Sequence, residues 1–330
     1  MNKVVWGVLS TAKIGMEKVI PAIQRAAHVE VRAIASRSLE AAQRAARGLS
    51  IPKAYGSYRE LLADPEIEAV YNPLPNHLHV PLTLEAARAG KHVLCEKPIA
   101  LTAAEAAQLR DSRVHVMEAF MVRFHPQWLH ARDLVRSGRI GALRAVQVFF
   151  SYFLEDPSNI RNQVDLGGGA LYDIGCYAIV AGRFFHGSEP RRAVALIDRD
   201  PVLRTDRTTS GLIDFGEGRF LDFTASTQCA GYQRVQLCGT RGRIEILIPF
   251  NAPAGGTTRI LVDDGSALDG SGISVETFPP CDQYTLQGEA FSRAIRGEIK
   301  LPYGVEDAIV NMHAIDALFR SERSGRLEDV

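Results

Sequence analysis

The fold of this 330-residue chain is decided by a stretch of nine residues, Gly90-Lys-His-Val-Leu-Cys-Glu-Lys-Pro98. It predicts a turn after a helix, a short buried strand from His92 to Cys95, and an abrupt stop. Because Pro98 cannot donate to a strand ladder and restricts the preceding residue to extended conformations, it fixes the backbone of Lys97. The carboxylate of Glu96 and the ammonium of Lys97 are therefore expected at the carboxyl end of a strand, where open α/β sheets bind ligands.

A lysine at a strand end is usually only a solvated charge, so the flanking sequence has to decide its meaning. Over the first 120 residues apolar strands alternate with helices, and no hairpin signal interrupts them. The strands are expected at Val4–Leu9, Val29–Ala35, 53–55, 69–71, His92–Cys95 and 114–117, and the helices at 16–27, Leu39–Gly48, Tyr58–Ala63, 77–89 and 103–110. This alternation predicts a parallel, doubly wound sheet.

The loop after the first strand, Ser10-Thr11-Ala12-Lys13-Ile14-Gly15, is a degenerate match to the dinucleotide fingerprint G-x-G-x-x-G. Ser10, Ala12 and Gly15 stand at the three glycine positions. All three residues are small, so a pyrophosphate could approach the backbone and the following helix N-terminus could hold it. An ordinary strand–helix turn would look the same, so this loop alone is weak evidence.

Ser36 and Arg37 follow the second strand, about twenty residues beyond this loop. An NAD enzyme would carry an acidic residue there for the ribose 2′-hydroxyl. A hydroxyl and a guanidinium suit a 2′-phosphate instead, which favours NADP and leaves NAD possible. The alternative is a helix N-cap, Ser36 or Ser38, beside a solvated arginine.

The predicted strand 69–71 ends at the segment Asn72-Pro-Leu-Pro-Asn76, and His79 follows three residues later. The side chains of Asn76 and His79 are expected to face a cofactor or to cap the next helix. His77 and His79 could form a metal pair, but no carboxylate or thiol completes the set nearby in sequence. No metal is predicted.

Composition excludes several classes of function. The chain has 38 basic and 38 acidic residues and 46% hydrophobic residues, so neither nucleic acid nor a membrane is an expected partner. Its first residues run into a strand without a signal-peptide pattern, and the five cysteines show no metal spacing. A cytoplasmic protein with reduced thiols is expected.

After residue 119 the pattern changes from alternation of helices and strands to period-two strands and hairpins. Residues 144–153 alternate with period two, and hairpins are expected around Gly216-Glu-Gly218 and Gly239-Thr-Arg-Gly242. A charged cluster from Arg199 to Arg207 is expected to be a solvated loop. We predict two domains, a nucleotide-binding domain over residues 1–119 and an α+β domain over residues 120–330 with a large, mostly antiparallel open sheet.

A triple glycine in this second half precedes a potential catalytic pair. The sequence Gly167-Gly-Gly-Ala-Leu-Tyr-Asp-Ile-Gly-Cys-Tyr177 predicts a loop that enters a helix, with Asp173 and Tyr177 on one face. A tyrosine on a helix is usually a packing residue. Its place after three glycines, with a carboxylate one turn earlier, suggests chemistry instead.

Together these motifs resemble the glucose–fructose oxidoreductase/inositol dehydrogenase (Gfo/Idh/MocA) family. The residues that carry the resemblance are 6–15, Asn76-x-x-His79, Gly90–Pro98 and Asp173-Ile-Gly-Cys-Tyr177. Tyr177, where many members have histidine, together with the segment 117–126, resembles the branch of dimeric dihydrodiol dehydrogenases, D-xylose dehydrogenases and 1,5-anhydro-D-fructose reductases. The stretch 101–115 is shorter than is usual in the family, so its helix is expected to be trimmed.

The resemblance implies a Rossmann domain, a second domain whose open sheet forms a homodimer or higher homo-oligomer, and hydride transfer between NADP and a sugar-like carbonyl or alcohol. Tyr177 would be the acid/base, Lys97 would lower its pKa, and Asp173 would orient substrate hydroxyls or Lys97. The predicted cofactor residues are Ser10, Thr11, Ala12, Ile14, Gly15, Ser36, Arg37, Leu74, Asn76, His79, Glu96, Lys97 and Arg123, and the predicted substrate residues are Lys97, Arg161, Asp173 and Tyr177. Two alternatives stay open, a trans-dihydrodiol dehydrogenase and a cofactor-binding regulatory protein without turnover.

Overall fold

The structure is a computed structural model that describes residues 2–330. The chain forms two compact units, one running to Met121 and including Gln283–Ile309, the other made of Val122–Asp282 and Val310–Val330. The first boundary lies two residues beyond the expected one, but the segment 283–309 folds with the first unit rather than the second. Side-chain hydrogen bonds account for this difference, among them Trp6 Nε1 to Ser292 Oγ at 3.1 Å and Arg296 to the Glu68 carboxylate at 2.7 Å.

The sheet of the first unit is parallel throughout and has the order β3-β2-β1-β4-β5-β6. Its strands are β1 (Val4–Leu9), β2 (Val29–Ala35), β3 (Lys53–Tyr55), β4 (Ala69–Asn72), β5 (His92–Cys95) and β6 (Val116–Glu118). The predicted doubly wound sheet is confirmed. Strand order reverses between β1 and β4, so the carboxyl ends of these two strands flank the crevice where such sheets bind ligands.

The helices are α1 (Ile20–Ile23), α2 (Leu39–Gly48), α3 (Tyr58–Ala63), α4 (His79–Arg88), α5 (Ala103–Ala107), α6 (Pro126–Arg136), α7 (Cys176–His186), α8 (Gln283–Ile295) and α9 (Val305–Ser324). The first predicted helix differs most, because a π-helical turn (Gly15–Val19) precedes α1 and α1 ends at Ile23. Pro21 has no amide to donate and its ring crowds the preceding turn, which favours the wider turn. Helix α5 is short, as expected for the trimmed stretch.

The second unit contains a nine-stranded sheet with the order β14-β13-β12-β11-β7-β10-β9-β8-β15. Its strands are β7 (Leu143–Phe153), β8 (Arg192–Arg199), β9 (Asp206–Asp214), β10 (Phe220–Ser226), β11 (Gln228–Gly239), β12 (Arg243–Ile246), β13 (Thr258–Asp263), β14 (Ile273–Phe278) and β15 (Glu328–Asp329). Only β7 and β10 pair in parallel, and both predicted hairpins are present. The mostly antiparallel sheet is thus confirmed.

The charged cluster from Arg199 to Arg207 is not simply a solvated loop. Arg199 ends β8 and forms two hydrogen bonds to the Glu322 carboxylate at 2.7 Å, while Arg207 lies in β9 and bonds Asp198 at 2.6 Å. The sequence prediction missed β8 because its charged ends obscure a short alternating core.

One face of this sheet packs against α7 and the end of α9. Beneath that face a Cβ on Gly182 would lie 2.9 Å from Phe215, and one on Gly211 would lie 2.5 Å from Phe223. The segment Val164–His186 is long and apolar enough to span a membrane by composition, but 67% of its apolar window is buried inside the protein. Its apolar character is therefore accounted for by core packing.

Candidate active site

The loop after β1 has the backbone of a nucleotide-binding turn. Ser10 has a φ of 121°, a region that glycine occupies freely and other residues rarely adopt. Its hydroxyl accepts the Ala12 amide at 3.1 Å, which holds the strained turn in place. Gly15 is buried at the start of the following helix. The serine thus occupies a glycine-like conformation at the first position of the fingerprint.

At the end of β2 the structure decides which serine caps the helix. Ser38 is the N-cap of α2 and accepts the Ala41 amide at 3.3 Å, while Ser36 accepts only the Ser38 amide at a long 3.4 Å. Arg37 is exposed. Burial raises the pKa of Tyr58, and the nearby Arg37 guanidinium opposes that rise. A hydroxyl and a cation therefore stand at the strand end, separate from the cap.

His79 ties the loops after β4 and β5 together. Its Nδ1 lies 2.6 Å from the Pro98 carbonyl and its Nε2 lies 2.7 Å from the Leu74 carbonyl, and the residue is 0% exposed. Burial lowers the pKa of His79 to about 4, although both carbonyls favour the charged ring. Its side chain therefore lies beneath the loops, and any effect on a cofactor would pass through Leu74 and the residues before Pro98.

The Glu96–Lys97 segment is held on both sides. The Glu96 carboxylate accepts the Tyr71 hydroxyl at 2.6 Å and the Lys97 amide at 3.3 Å. After Pro98, the Ile99 amide donates to Glu118 at 2.8 Å. Burial, reinforced by Glu96, raises the pKa of Tyr71, so its hydroxyl remains a donor. Lys97 itself is half-buried, which differs from a freely solvated strand end.

In the second unit, Asp173 lies at the centre of a polar cluster. Tyr152 donates its hydroxyl to Asp173 Oδ2 at 2.5 Å, and Arg161 Nε lies 3.1 Å from the same oxygen. Burial, with Asp173 as the next cause, raises the pKa of Tyr152 well above its usual value. The phenol therefore stays neutral and donates, and the carboxylate is fixed by two side chains from different segments.

Tyr177 lies in the first turn of α7, directly after a π-helical turn at Leu171–Gly175. The side chain is 6% exposed, and its ring packs 5.9 Å from Phe150 and 5.5 Å from Phe250, which stack on each other at 4.5 Å. The ring orientation is therefore set by packing against β7. Helical irregularities of this π type often occur at functional sites.

A cavity of about 560 Å³ lies beside this cluster. Phe150, Tyr152, Gln233 and Asn251 are among its lining residues. It shares Phe150 with the packing around Tyr177 and Tyr152 with the hydrogen bonds of Asp173. Its volume is in the range of small-molecule sites. Tyr152 places a polar group on the inward-facing side of a period-two strand, but its partner Asp173 lies 21 positions further along the chain, so the local pattern alone does not indicate its role.

The predicted residues thus form two groups. The first unit carries the loop 10–15 at the end of β1, and Ser36 and Arg37 at the end of the neighbouring β2. Leu74, Asn76, Glu96 and Lys97 lie on the loops after β4 and β5, which His79 joins. In the second unit, Arg161 and Asp173 form an ion pair, and Tyr177 lies one helical turn after Asp173. Arg123 is 4% exposed and lies in a short helical turn at Met121–Phe124. The first group offers a loop at a helix start, a hydroxyl and a cation, which are donors of the kind that a dinucleotide requires.

Two family models match the chain. Residues 4–124 match the GFO_IDH_MocA model, described as an oxidoreductase family with an NAD-binding Rossmann fold. Residues 128–245 match the model of the GFO/IDH/MocA C-terminal domain. Together they span both structural groups described above.

Individual proteins give the same picture. An uncharacterized oxidoreductase of Rhizobium meliloti is 46% identical over 100% of both chains, and a D-xylose 1-dehydrogenase (NADP(+)) of Haloferax volcanii is 40% identical over 97% of this chain and 98% of its own. The crystal structure of KijD10, a 3-ketoreductase from Actinomadura kijaniata in complex with NADP and TDP-benzene, superposes with a TM-score of 0.90 at 28% identity, covering 97% of this chain and 98% of that one. That ketoreductase has also been crystallised with a tyrosine changed to phenylalanine and with a lysine changed to alanine.

Proposed function

Because this chain belongs to the GFO/IDH/MocA oxidoreductase family, we propose that it is an NADP(H)-dependent oxidoreductase of a neutral monosaccharide. The chain is an NAD(P)-binding oxidoreductase that acts on CH–OH groups. Its relatives include a sugar dehydrogenase and a ketoreductase. The proposal adds the cofactor, the substrate class and the residues that move the proton. The observation that carries it is the Arg161–Asp173–Tyr152 cluster one turn before Tyr177.

The case for NADP is the chemistry at the end of β2. Ser36 and the exposed Arg37 stand where an acidic residue would reject a 2′-phosphate. Arginine binds phosphate with forked, charge-assisted hydrogen bonds. The pyrophosphate would lie on the loop from Ser10 to Gly15, and Leu74, Asn76 and Glu96 would line the rest of the dinucleotide.

When bound, the nicotinamide supplies or accepts the hydride. Tyr177 would exchange the proton of the reacting oxygen, and the Lys97 ammonium would stabilise the phenolate and hydrogen-bond the same oxygen. An ordinary phenol with a pKa near ~10 is a poor base at neutral pH, so a nearby cation is needed to lower that value. Asp173, held by Arg161 and Tyr152, would accept hydrogen bonds from substrate hydroxyls.

A neutral substrate is favoured by the charges of this cluster. The Arg161 guanidinium is already paired with Asp173, so it offers less attraction to a substrate phosphate. The Haloferax relative is named for D-xylose, a neutral aldose. The cavity beside Tyr152 combines aromatic and amide groups, which suit the faces and hydroxyls of a sugar ring. The guanidinium of Arg234, which also lines the cavity, is paired with Glu245 at 3.0 Å.

The proposal is tested by following nicotinamide absorbance with pentoses and hexoses, each with NADP and with NAD. Reduction of NADP by an aldose in the native protein, strongly slowed in Tyr177→Phe, is the expected result. Turnover of a trans-dihydrodiol with no aldose activity would favour the dihydrodiol dehydrogenase alternative. Tight NADP binding without turnover of any substrate would favour the regulatory alternative.

We also propose that two copies associate through the open face of the nine-stranded sheet. Phe149, Leu196, Leu212 and Tyr232 are 37%, 82%, 43% and 49% exposed on that face. Hydroxyl pairs such as Ser210 with Thr224 at 2.8 Å lie between them. A broad face of this mixed character suits a second copy of the same sheet better than water.

A further inference from the structure

Asp206 is a buried carboxylate that no step of the proposed reaction uses. It begins β9, is 1% exposed, and its Oδ2 accepts the Leu171 amide at 2.6 Å and the Thr209 hydroxyl at 3.1 Å. Leu171 opens the π-helical turn that leads into α7 and Tyr177. A side chain of the sheet therefore binds the first amide of this turn, for which the chain just before it provides no side-chain cap.

The triple glycine is shaped to this carboxylate. A Cβ on Gly169 would lie 1.8 Å from Asp206 Oδ1, and one on Gly168 would lie 2.5 Å from the Arg161 carbonyl. The Gly169 amide donates to that carbonyl at 2.9 Å, and the Asp173 amide donates to the Gly169 carbonyl at 3.0 Å. The loop thus lies between the Asp206 carboxylate and the backbone of Arg161, and only glycine fits there.

We infer that Asp206 is a positioning residue, whose carboxylate fixes the entry of the segment 169–177 and so sets where Asp173 and Tyr177 stand. Its effect on turnover rests on the proposed function. Its effect on the order of the segment rests on geometry alone. Asp206 does not itself bind substrate; it acts through the Leu171 amide and through its contact with Gly169.

The cost of ionising Asp206 indicates that this carboxylate positions the segment 169–177 rather than simply stabilising the fold. Burial raises the pKa of Asp206 to about 6, against the opposing effects of the Leu171 amide, the Thr209 hydroxyl and Arg199. The other titratable group that faces it is Tyr152 of β7, and Arg199 is itself paired with Glu322 of α9. Near neutral pH the ionised group costs folding free energy, so stability alone would favour a neutral residue at this position.

The test compares Asp206→Ala with Asp206→Asn by amide hydrogen exchange and by kinetics. Asparagine keeps an oxygen for the Leu171 amide, whereas alanine leaves that amide and Thr209 without it. We expect Asp206→Ala to speed exchange over residues 169–177 at least about tenfold. Its kcat should fall about 10- to 100-fold, with the KM for NADP nearly unchanged, because a misplaced proton donor slows the chemical step. Asp206→Asn should lie near the native protein in both readouts.

A matched control is Asp200→Ala. Asp200 is also a buried carboxylate that accepts two backbone amides, those of Val202 and Leu203 at 2.8 Å, but they lie in a different turn. Asp200→Ala should lower the stability of the protein without faster amide hydrogen exchange over residues 169–177. If Asp206→Ala does not fold, Thr209→Val can replace it, because it removes one hydrogen bond to the carboxylate. This variant should also speed exchange over residues 169–177 and lower kcat, each by a smaller factor. Native exchange over 169–177 in the Asp206 and Thr209 variants would overturn the inference. Inactivity of the native protein, with exchange altered as expected, would instead overturn only the proposed function.

Discussion

At the residue scale, the proposed chemistry depends on Tyr177 and Lys97. Tyr177→Phe should lower kcat about 10²- to 10⁴-fold, the usual contribution of a general acid or base, and leave the Kd for NADP nearly unchanged. Lys97→Met should cost at least as much, because it removes both a charge and a hydrogen bond to the reacting oxygen. Residues that act as one unit are strongly non-additive, so the double variant should be little worse than either single one.

Stopped-flow turnover and fluorescence titration of NADP would measure these effects. Tyr177→Leu is a useful companion, because it also disturbs the ring packing against Phe150 and Phe250 and should lower the melting temperature. Full activity of Tyr177→Phe would remove the phenol from the mechanism and leave it as a packing residue of the aromatic cluster.

At this scale the proposed cofactor preference depends on Arg37. Arg37→Asp should weaken NADP much more than NAD, because it replaces a phosphate-binding cation with a carboxylate that repels the 2′-phosphate. Isothermal titration with both cofactors measures the ratio. Arg44→Asp is a suitable control, since Arg44 is also exposed on α2 but pairs with Glu40 one turn away. Equal losses for NADP and NAD would show that Arg37 does not read the phosphate.

Asp206 predicts a pH dependence of stability. Because its pKa in the folded state, about 6, lies above the ordinary 3.8, the stability it contributes is fully present below pH ~4 and is lost as the pH rises through 6. Relative to Asp206→Asn, the native protein should therefore lose on the order of 3 kcal/mol of unfolding free energy between pH 4 and pH 7. Urea unfolding at both pH values measures this. A difference between the two proteins that is constant with pH would contradict the raised pKa.

At the element scale, His79 joins the loops that follow β4 and β5. His79→Phe would remove the ring from between the Leu74 and Pro98 carbonyls. Because a neutral imidazole has one N–H, one of these carbonyls would lose its hydrogen bond, at a cost of about 1–3 kcal/mol. We expect a lower urea midpoint and weaker NADP binding, because both loops carry predicted cofactor residues. His313→Phe on α9, which is exposed, serves as the control. Unchanged NADP affinity in a destabilised His79→Phe would confine His79 to a structural role.

Elements with a strong local signal were predicted well from sequence. β1, β2, β3 and β5 have the expected bounds. β1 is a short apolar run, β2 begins with alternating apolar and charged residues, and Pro52 and Gly56 bound the short strand β3. The first helix was predicted less well, since Pro21, five residues after its predicted start, changes its hydrogen bonding without changing the apolar pattern. β8 was missed because its charged ends obscure its short alternating core, and its pairing with β9 is not a local feature of the sequence.

In the candidate site, too, local features could be predicted from the sequence and distant contacts could not. The positions of Glu96, Lys97 and the loop 10–15 at strand ends could be predicted, because strand ends and small-residue loops are local features. Tyr152 and Asp206 could not, since each matters through a hydrogen bond to a residue about 20 or 35 positions away, Asp173 and Leu171. The buried position of His79 could not be seen either, because its two carbonyl partners come from separate loops.

At the scale of the whole molecule, the open face of the nine-stranded sheet predicts the assembly. In a homodimer formed through this face, Leu196 and Leu212 would be buried against the partner, although they are 82% and 43% exposed in the single chain. Two charges placed there would have to be desolvated on association, which is costly without a partner charge. The double variant Leu196→Glu/Leu212→Glu should therefore shift the protein toward monomer.

Light scattering at micromolar concentration distinguishes the outcomes. The native protein should have at least twice the mass of one 36.2 kDa chain, and the double variant should approach that single mass while its far-ultraviolet circular dichroism is unchanged. Val202→Glu/Leu268→Glu is the matched control, because both residues are exposed apolar side chains in loops away from the sheet face. Two outcomes would contradict the proposal. A native protein that is already monomeric at this concentration would exclude the dimer. A double variant that is still dimeric would show that the interface lies on another surface.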